Sequence, residues 1–474
     1  MKDQIKKLEA TARMLEPSAE TRNRLAEKVL SYGDNFLNDL PSKKAYASPK
    51  QNISSSPFSK GPADMDKLLD FLKSNVDANA LNPASGRHLG YIPGGGLYPS
   101  ALGDYLAAIT NRYAGVFFSS PGAVHIENRC IRWLCDLIGY GPKAGGNLTS
   151  GGSLANLIGL VNARDDSGIS SKDFEKAVIY TTRQVHHCVI KAINFAGLAD
   201  AQIRVIKMDA RFRMIPHALQ KQLIEDRELG LKPLVIFASA GTTDVGAVDR
   251  LHEVGTIAQD QNIWLHVDAA YGGAFLLTEH GQQKMNGIHH ADSVTIDPHK
   301  GFFLPYGSGA LLVKDVSKLH NSQHMTANYM QDTLAADEEY SPADLSPELS
   351  KHFRGLRMWL PLQLFGIAPF RAALDEKLLL TRYFYQEIQK IDGIEVGPEP
   401  ELSVMFFRYV PASGDANTFN RKLLDAIHED GRIFLSSTNI DDIYYIRLAV
   451  LNFRTHLQTI DDTIALLKKK IAAL

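Results

Sequence analysis

Short apolar runs alternate with longer amphipathic segments between residues 124 and 315. The runs are rich in β-branched residues and have the length of buried strands: Ala177–Thr181, Ile203–Ile206, Leu234–Ser239, Ile263–Val267, Ser293–Ile296 and Gly309–Val313. The segments between them repeat apolar residues at helical intervals and include Ser153–Arg164, Ala218–Glu228 and Leu251–Gln261. This alternation predicts parallel βαβ units with helices on both faces of the sheet. Ligands of such sheets bind at the carboxyl ends of the strands.

The two ends of the chain follow other patterns. Ile5, Leu8, Leu25 and Val29 recur among charges at helical intervals, which predicts amphipathic helices. A Ser-, Pro- and Gly-rich stretch over residues 51–64 predicts a connector. After residue 356, predicted helices and short strands mix, in the order Met358–Leu379, Met405–Tyr409, Thr418–Glu429, Tyr444–Leu448 and Leu457–Lys469. We therefore expect an N-terminal helical arm over residues 1–85, a large domain over 86–355 and a small α+β domain over 356–474.

Composition excludes several classes of protein. The 474 residues include 51 Lys and Arg against 53 Asp and Glu, a net charge of −2, so no basic excess favours nucleic acid. The N-terminal segment lacks the uninterrupted apolar stretch that secretion or a membrane span requires. The 3 cysteines form neither a disulfide framework nor a Cys-x-x-Cys zinc motif, and no metal site is predicted. We expect a cytoplasmic protein without nucleic-acid or membrane partners.

Two charged residues follow apolar runs at the predicted sheet edge. Asp268 ends the run Trp264–Val267, and Lys300 follows Ser293–Ile296. A lysine amine in a cleft can form a Schiff base, and a pyridine cofactor needs a carboxylate at its ring nitrogen. For an isolated Asp and Lys, a surface salt bridge is the commoner explanation, so the surrounding residues have to decide.

Further residues near this edge have the chemistry of a cofactor site. The Gly- and Ser-rich turn Asn147–Ser153 opens a predicted helix, whose free N–H groups suit a phosphate. His186 and His187 follow the run Ala177–Thr181, and one imidazole could lie on an aromatic ring. An exposed histidine pair is the alternative. Metal binding by the pair is not expected, because adjacent residues point to different faces of a helix.

The run His-Val-Asp-Ala-Ala-Tyr-Gly-Gly over residues 266–273, followed by Ser293-Val294 and then Lys300, resembles the pyridoxal-phosphate-dependent group II decarboxylases. That family includes the aromatic-L-amino-acid, glutamate, histidine and diaminobutyrate decarboxylases. The resemblance extends from about Gly86 to the end of the chain. It implies fold type I, the aspartate-aminotransferase-like α/β fold of PLP-dependent transferases, with a mostly parallel seven-stranded sheet and a smaller C-terminal α+β domain. It also implies a homodimer with active sites shared between subunits, in which residues 1–85 serve dimerisation.

The resemblance implies a role for each matching residue. Lys300 would be the lysine that binds pyridoxal 5'-phosphate covalently, and Asp268 would hold the pyridine nitrogen. Ala270 and His186 would pack against the two faces of the ring. The residues implied on the phosphate and O3' sides are Gly152, Ser153, His299 and Thr243. Asp297 stands where many members have Asn, which places an extra negative charge near the phosphate.

The resemblance also implies a proton donor. Family members carry a tyrosine on a loop after the lysine, and Tyr329 lies 29 residues beyond Lys300. Relatives that form aldehydes commonly carry Phe at this position, which cannot donate a proton. Tyr329 therefore favours decarboxylation to an amine, although a lone tyrosine could also serve packing.

Aromatic residues predict the substrate class. Segment His88–Pro99 resembles the family's substrate-pocket stretch, and Tyr113–Ser120 resembles the part that reaches into the neighbouring subunit's site. The predicted pocket residues are Tyr91, Pro93, Phe117 and Phe118. Such walls suit an aromatic L-amino acid (tyrosine, dopa, tryptophan or phenylalanine), but the same residues could pack in a dimer interface. Arg354 and Arg357 keep open an acidic or diamino substrate such as glutamate, aspartate or 2,4-diaminobutyrate. An aromatic aldehyde synthase or a transaminase of the same fold is the other alternative, whereas a purely structural protein has no need of Lys300 with Asp268.

Overall fold

The computed structural model describes residues 1–49, 61–325 and 339–474. The α-helices are α1 (Lys2–Ala12), α2 (Ala19–Asp39), α3 (Met65–Leu72), α4 (Tyr98–Thr110), α5 (Pro121–Leu137), α6 (Gly152–Asp166), α7 (His187–Phe195), α8 (Pro216–Glu228), α9 (Leu251–Gln261), α10 (Glu279–Lys284), α11 (Pro298–Gly301), α12 (Val316–Gln323), α13 (Arg354–Phe365), α14 (Ala368–Ile388), α15 (Ala416–Asp430) and α16 (Leu457–Ala473). The strands are β1 (Tyr46–Ala47), β2 (Ala80–Leu81), β3 (Gly145–Thr149), β4 (Ala177–Thr181), β5 (Gln202–Val205), β6 (Lys232–Ser239), β7 (Trp264–Asp268), β8 (Ser293–Ile296), β9 (Gly309–Val313), β10 (Ile394–Val396), β11 (Val404–Tyr409), β12 (Ser436–Ile440) and β13 (Ile443–Ala449).

The central sheet has seven strands in the spatial order β3-β9-β8-β7-β6-β4-β5. Strand β9 runs antiparallel to both of its neighbours, and the remaining pairs are parallel. The predicted mostly parallel seven-stranded sheet is confirmed. Because β6, β7 and β8 are adjacent and parallel, the residues that follow them meet at one edge.

Both faces of this sheet are buried, except at the edge strand β5, where three of the four residues are exposed. Val178 and Ile236 pack in one apolar cluster with helices α5, α8 and α9, whereas their neighbours Ile179 and Val235 pack in another with α6 and α7. Successive residues of a strand point to opposite faces. Burial on both sides therefore explains why these strands are continuous apolar runs rather than alternating ones.

Six strands of the central sheet match the predicted runs to within two residues at either end, but β3 was not predicted. Its sequence, Gly-Gly-Asn-Leu-Thr, carries neither an apolar run nor β-branched enrichment. The structure supplies the reason for one glycine, because a Cβ on Gly146 would lie 2.0 Å from the carbonyl oxygen of Leu311 on β9. Close approach of the antiparallel neighbour thus selects a residue that weakens the sequence signal for a strand.

The N-terminal arm is helical, as predicted, and exposed. Neither α1 nor α2 contains a buried residue. Lys28 of α2 pairs with Asp66 of α3 at 2.6 Å. Most of the predicted connector lies in residues 50–60, outside the described residues.

The C-terminal part is α+β, as predicted, with an antiparallel sheet of order β10-β11-β13-β12. The prediction of one helix over Met358–Leu379 is wrong, because α13 and α14 are separate. Gly366 has φ 68° and ψ −176°, a conformation that ends α13, and the apolar periodicity continues through this break. Leu89, from the start of the large domain, packs in the core of the C-terminal sheet. The domain boundaries at residues 85 and 355 stay predictions.

Across the described ranges, no helix combines the length and the apolar character needed to cross a bilayer.

Candidate active site

The carboxyl ends of the parallel strands surround a cavity of about 280 Å³. Asp268 is the last residue of β7, and Lys300 lies on the short helix α11 that follows β8. Eight predicted cofactor residues line this one cavity: Lys300, Asp268, Ala270, His186, Gly152, Ser153, Thr243 and His299. The fold thus brings together residues that are spread over about 150 positions of the chain.

Lys300 is paired with a neighbouring carboxylate. Its Nζ lies 3.0 Å from Oδ2 of Asp297, which is itself buried. Burial opposes the charged form of Lys300, but attraction by Asp297 and then Asp268 outweighs it and raises the pKa of the amine above its usual value. The amine is therefore held as an ammonium, and Asp297 is placed to accept its proton.

Asp268 is fixed by two donors in the protein. Asn156 donates from Nδ2 to Oδ2 across 2.9 Å, and the backbone N–H of Ala270 donates to Oδ1 across 3.0 Å. These bonds set the orientation of the carboxylate before any ligand meets it. A carboxylate oxygen has further lone pairs, so Asp268 can still accept a hydrogen bond from the cavity.

A buried chain of hydrogen bonds stands behind Asn156. His266 Nε2 lies 2.9 Å from Asn156 Oδ1, His266 Nδ1 lies 2.7 Å from Ser293 Oγ, and Trp264 donates to that hydroxyl at 2.8 Å. Burial lowers the pKa of His266 to about 4, so its imidazole is neutral at physiological pH. Trp264 can only donate and the carboxylate of Asp268 can only accept, so every bond points the same way, from Trp264 towards Asp268.

His186 lies at the start of α7, where its Nδ1 accepts the backbone N–H of Cys188 at 3.3 Å. Burial is the main cause of its lowered pKa, to which the neighbouring His187 and Lys300 add, despite the attraction of Asp268. The imidazole is therefore neutral, with its proton on Nε2. A neutral ring can pack flat on an aromatic ligand without the cost of burying a charge.

The turn before α6 has features that suit an anion. Helix α6 spans 15 residues, and its N-terminus has no side-chain cap, which leaves backbone N–H groups available. A Cβ on Gly152 would lie 2.9 Å from Asp297 Oδ2 and 3.3 Å from the Cβ of Ala270. A larger residue at position 152 would therefore displace Asp297 or Ala270, both of which line the cavity. His299 completes this side, with Nδ1 2.5 Å from the carbonyl oxygen of Ser308.

The donor set of this cavity fits pyridoxal 5'-phosphate. It combines a lysine amine for an aldehyde, a carboxylate for a pyridine nitrogen and an uncapped helix terminus for a phosphate. Two buried oxygens of residues that line the cavity, Asp297 Oδ1 and Gln184 Oε1, have no hydrogen-bond partner in the described chain. Such groups cost free energy unless a ligand or water satisfies them.

The four predicted substrate-pocket residues do not line this cavity in the single chain. Tyr91 and Phe118 are exposed, Pro93 is buried and Phe117 is half-buried. Their segment is nevertheless close, because a Cβ on Gly94 would lie 2.5 Å from the carbonyl oxygen of Lys300. Their role stays a prediction, and Tyr329 lies outside the described residues.

The two arginines considered for an acidic substrate are already paired. Arg354 makes two 2.9 Å hydrogen bonds to Glu348, and Arg357 donates to Asp104 at 2.7 Å. Neither arginine lines the cavity.

Sequence reasoning missed several residues of the site, chiefly Asn156, Gln184, Cys188 and His266. Asn156 gave a usable signal, because it is a polar residue one turn into an otherwise apolar stretch of α6, at the helical spacing of four from Gly152. His266 stood in the recognised motif but was given no role.

Comparison with known proteins agrees with this geometry. A family profile described as "Pyridoxal-dependent decarboxylase conserved domain" matches residues 51–410. The chain is 34% identical to the aromatic-L-amino-acid decarboxylase of Bacillus atrophaeus over 93% of both chains. It is 30% identical to the L-2,4-diaminobutyrate decarboxylase of Rhizobium meliloti (strain 1021), over 75% of this chain and 72% of that protein.

A solved structure shows the same fold. The crystal structure of Oryza sativa TDC with PLP and tryptamine superposes with a TM-score of 0.90 at 23% identity, covering 96% of this chain and 98% of that one. The fold expected from the sequence resemblance, fold type I, is confirmed.

Proposed function

The chain belongs to the pyridoxal-dependent decarboxylase family, and from that premise we propose that it removes the carboxyl group of an aromatic L-amino acid as CO₂ and releases the amine. It is an amino acid decarboxylase that uses pyridoxal 5'-phosphate. The observation that carries the proposal is the placement of Lys300, Asp268 and the turn before α6 around one cavity. A salt bridge between Lys300 and Asp268 alone would need neither that turn nor the buried hydrogen bonds that fix Asp268.

We assign the residues that hold the cofactor as follows. Lys300 binds it covalently through Nζ, and the carboxylate of Asp268 holds a proton at the pyridine nitrogen. The imidazole of His186 and the methyl group of Ala270 lie on the two faces of the ring. The phosphate and O3' sides are held by Gly152, Ser153, His299 and Thr243.

When bound, the cofactor would supply an electron sink for the pair that the departing carboxyl group leaves on the substrate Cα. Asp268 favours this by keeping the ring nitrogen protonated, since a hydrogen-bonded carboxylate beside that nitrogen stabilises the positive charge. Asp297 Oδ2, 3.0 Å from Nζ, can hold the proton that Lys300 releases when its amine reacts. We assign the return of a proton to Cα to the Tyr329 hydroxyl, and this assignment rests on the sequence.

Three observations support an aromatic substrate. The Bacillus atrophaeus relative, which matches over 93% of both chains, is named for that class. The predicted aromatic pocket segment passes Lys300 at Gly94. Arg354 and Arg357, the two cations considered for an acidic side chain, are neutralised by Glu348 and Asp104.

We further propose a homodimer with active sites shared between subunits. One face of α4 carries an exposed apolar stripe at helical spacing, formed by Leu102, Tyr105, Leu106 and Ile109. Helices α1 and α2 contain no fully buried residue in the single chain. Contiguous apolar surface of this kind marks an interaction site, and a second copy would cover it by self-complementarity. For the pocket prediction to hold, the partner would also have to cover Tyr91 and Phe118, which are exposed in the single chain. The three cysteines are free and buried, which suits the cytoplasmic location we propose.

The experiment is a substrate panel. The holoenzyme is incubated with tyrosine, dopa, tryptophan, phenylalanine, glutamate, aspartate and 2,4-diaminobutyrate, and the products are identified by mass. We expect amine and CO₂ from an aromatic member without oxygen consumption. Turnover confined to acidic or diamino substrates would contradict the substrate assignment, and aldehyde formed with oxygen uptake would contradict the reaction type. Size-exclusion chromatography with light scattering tests the dimer.

A further inference from the structure

Two histidines and an aspartate that do not line the cofactor cavity lie close together and are half-buried. His320 lies on α12, His324 follows the end of that helix one turn later, and Asp344 lies on the 3-10 turn Pro342–Leu345. One ligand atom of each residue lies within 4.8 Å of those of the other two. No motif in the sequence pointed to this cluster, because the aspartate is 20 positions from the nearer histidine.

The contacts within the cluster are close. His324 Nδ1 lies 3.0 Å from Asp344 Oδ1, and the rings of His320 and His324 stack with centroids 4.5 Å apart at 18°. The side chains of His324 and Asp344 are 32% and 24% exposed, so water can reach the cluster. Because an imidazole binds a metal in its own ring plane, one of the two stacked rings would have to rotate about its Cβ–Cγ bond for both to reach a shared cation.

The backbone on both sides of the cluster is held in place. Leu319 and Leu345, the chain neighbours of His320 and Asp344, are buried in the same apolar cluster. The 3-10 turn is also anchored by the hydrogen bond from the Ala343 N–H to the Gly115 carbonyl at 2.8 Å. The elements that carry the three side chains therefore keep their relative position without a ligand, which lowers the entropy cost of binding one.

We propose that His320, His324 and Asp344 bind a zinc ion. Two imidazole nitrogens and one carboxylate oxygen form a ligand set that zinc accepts, with water in the fourth position. Magnesium and calcium prefer all-oxygen sites, so the imidazoles select against them. The ligands lie on either side of residues 326–338 in the sequence, so the ion would cross-link the chain across that segment.

The competing explanation is a hydrogen-bonded ion pair between His324 and Asp344, with His320 packed against it. Such a pair needs no metal, and it does not require an imidazole nitrogen of His320 to meet a cation. The metal site therefore predicts that zinc binds and that substitution of His320 weakens its binding, whereas the ion pair predicts neither.

The test is calorimetric titration of the full-length holoenzyme with ZnCl₂ in a buffer that does not chelate metals. We expect one zinc ion per chain, and at least 10-fold weaker binding in each of His320→Ala, His324→Ala and Asp344→Asn. Asp344→Asn preserves shape, so it keeps the test valid if a histidine variant folds poorly. His290→Ala is the matched control, because His290 lies 3.3 Å from His252 in another surface histidine pair.

A second measurement is thermal melting with zinc and with EDTA. Zinc should raise the melting temperature of the wild type and of His290→Ala, and should leave that of the three cluster variants unchanged. Zinc that binds the wild type and the His320 variant equally well overturns the proposal, as does a wild type that takes up no zinc. Loss of binding in His290→Ala alone would place the ion at the other pair and would equally overturn it.

Discussion

Asn156 donates a hydrogen bond across 2.9 Å to Asp268, and the same side chain accepts one from the buried, neutral His266. The amide therefore connects the carboxylate proposed to hold the pyridine nitrogen with a one-way series of donors that ends at Trp264. Because each donor in the series is fixed by the next, the negative charge of Asp268 is stabilised in one orientation. Asn156 and the residues behind it thus fix the carboxylate that we propose holds a cationic ring nitrogen.

Replacement Asn156→Ala should weaken cofactor binding. It removes a hydrogen bond to a charged group and leaves buried partners unsatisfied, which costs about 1–3 kcal/mol, a roughly 5- to 150-fold loss of affinity. Titration of the apoenzyme with pyridoxal 5'-phosphate, followed by absorbance, measures it. Asn162→Ala is the matched control, since Asn162 lies on the same helix, is buried and has a side-chain amide with no hydrogen bond among the described residues. Equal affinities in the two variants would refute the role of Asn156.

Lys300→Ala and Lys300→Arg should both abolish activity and the absorbance band of the lysine-bound cofactor. Neither side chain offers an amine of the required kind. They should differ in stability, because the arginine variant keeps a cation beside Asp297, which lies 3.0 Å from Nζ in the wild type, whereas the alanine variant leaves a buried carboxylate unpaired. Absorption spectra and thermal melting of both variants check this. A persistent band in the alanine variant would remove Lys300 from the assignment.

Asp297→Asn should shift the pH at which cofactor binds covalently. The negative charge of Asp297 contributes to the raised pKa of Lys300, against the opposing effect of burial. Removing that charge lowers the pKa, so more of the amine is neutral and reactive at a given pH. We would mix apoenzyme with cofactor in a series of neutral to alkaline buffers and measure the rate of band formation. The increase of this rate with pH should begin at a lower pH in the variant than in the wild type. A profile identical to that of the wild type would show that Asp297 does not control this ionisation.

Tyr329→Phe should keep cofactor binding and lose amine formation, because phenylalanine cannot return a proton to Cα. Product analysis by mass and an oxygen electrode show whether turnover stops or goes to aldehyde. Tyr340→Phe serves as the control, since Tyr340 is an exposed tyrosine just beyond the same stretch of chain. Unchanged amine output from the Tyr329 variant would exclude it from the mechanism.

Lys351→Met should destabilise the fold. Lys351 is fully buried, and its Nζ donates to Glu127 at 2.9 Å, to Asn147 at 2.6 Å and to the Leu148 carbonyl at 3.0 Å, which secures β3 beneath the phosphate turn. Leaving Glu127 buried and unpaired costs about 3–5 kcal/mol of unfolding free energy. Denaturant unfolding measures the loss. The double variant Lys351→Met, Glu127→Leu should recover most of it, and a double variant as unstable as the single one would contradict the ion-pair explanation.

Local patterns along the chain were enough to predict much of the large domain. Strand β4 and the other buried runs stand out because both of their faces are covered, and a sheet buried on both sides needs continuous apolar sequence. Parallel order then places Asp268 and Lys300 at one edge without further information. Strand β3 and the break at Gly366 were not predicted. A glycine that is required by a close approach or a positive φ gives no strand or helix-end signal in the sequence, or indicates only a turn.

The sequence by itself determined where the buried strands lie along the chain and which chemical groups follow them, because these depend on residues that are neighbours in the chain. Only the tertiary structure decided which group supports which. Asn156, His266 and Trp264 come from α6 and β7, and their hydrogen bonds exist because strand register and helix packing bring donor and acceptor to within 3 Å. The same is true of His320 and Asp344, which the packing of Leu319 against Leu345 brings together. Such distances depend on how all the elements of the domain pack together, and this packing produces no periodic pattern in the sequence.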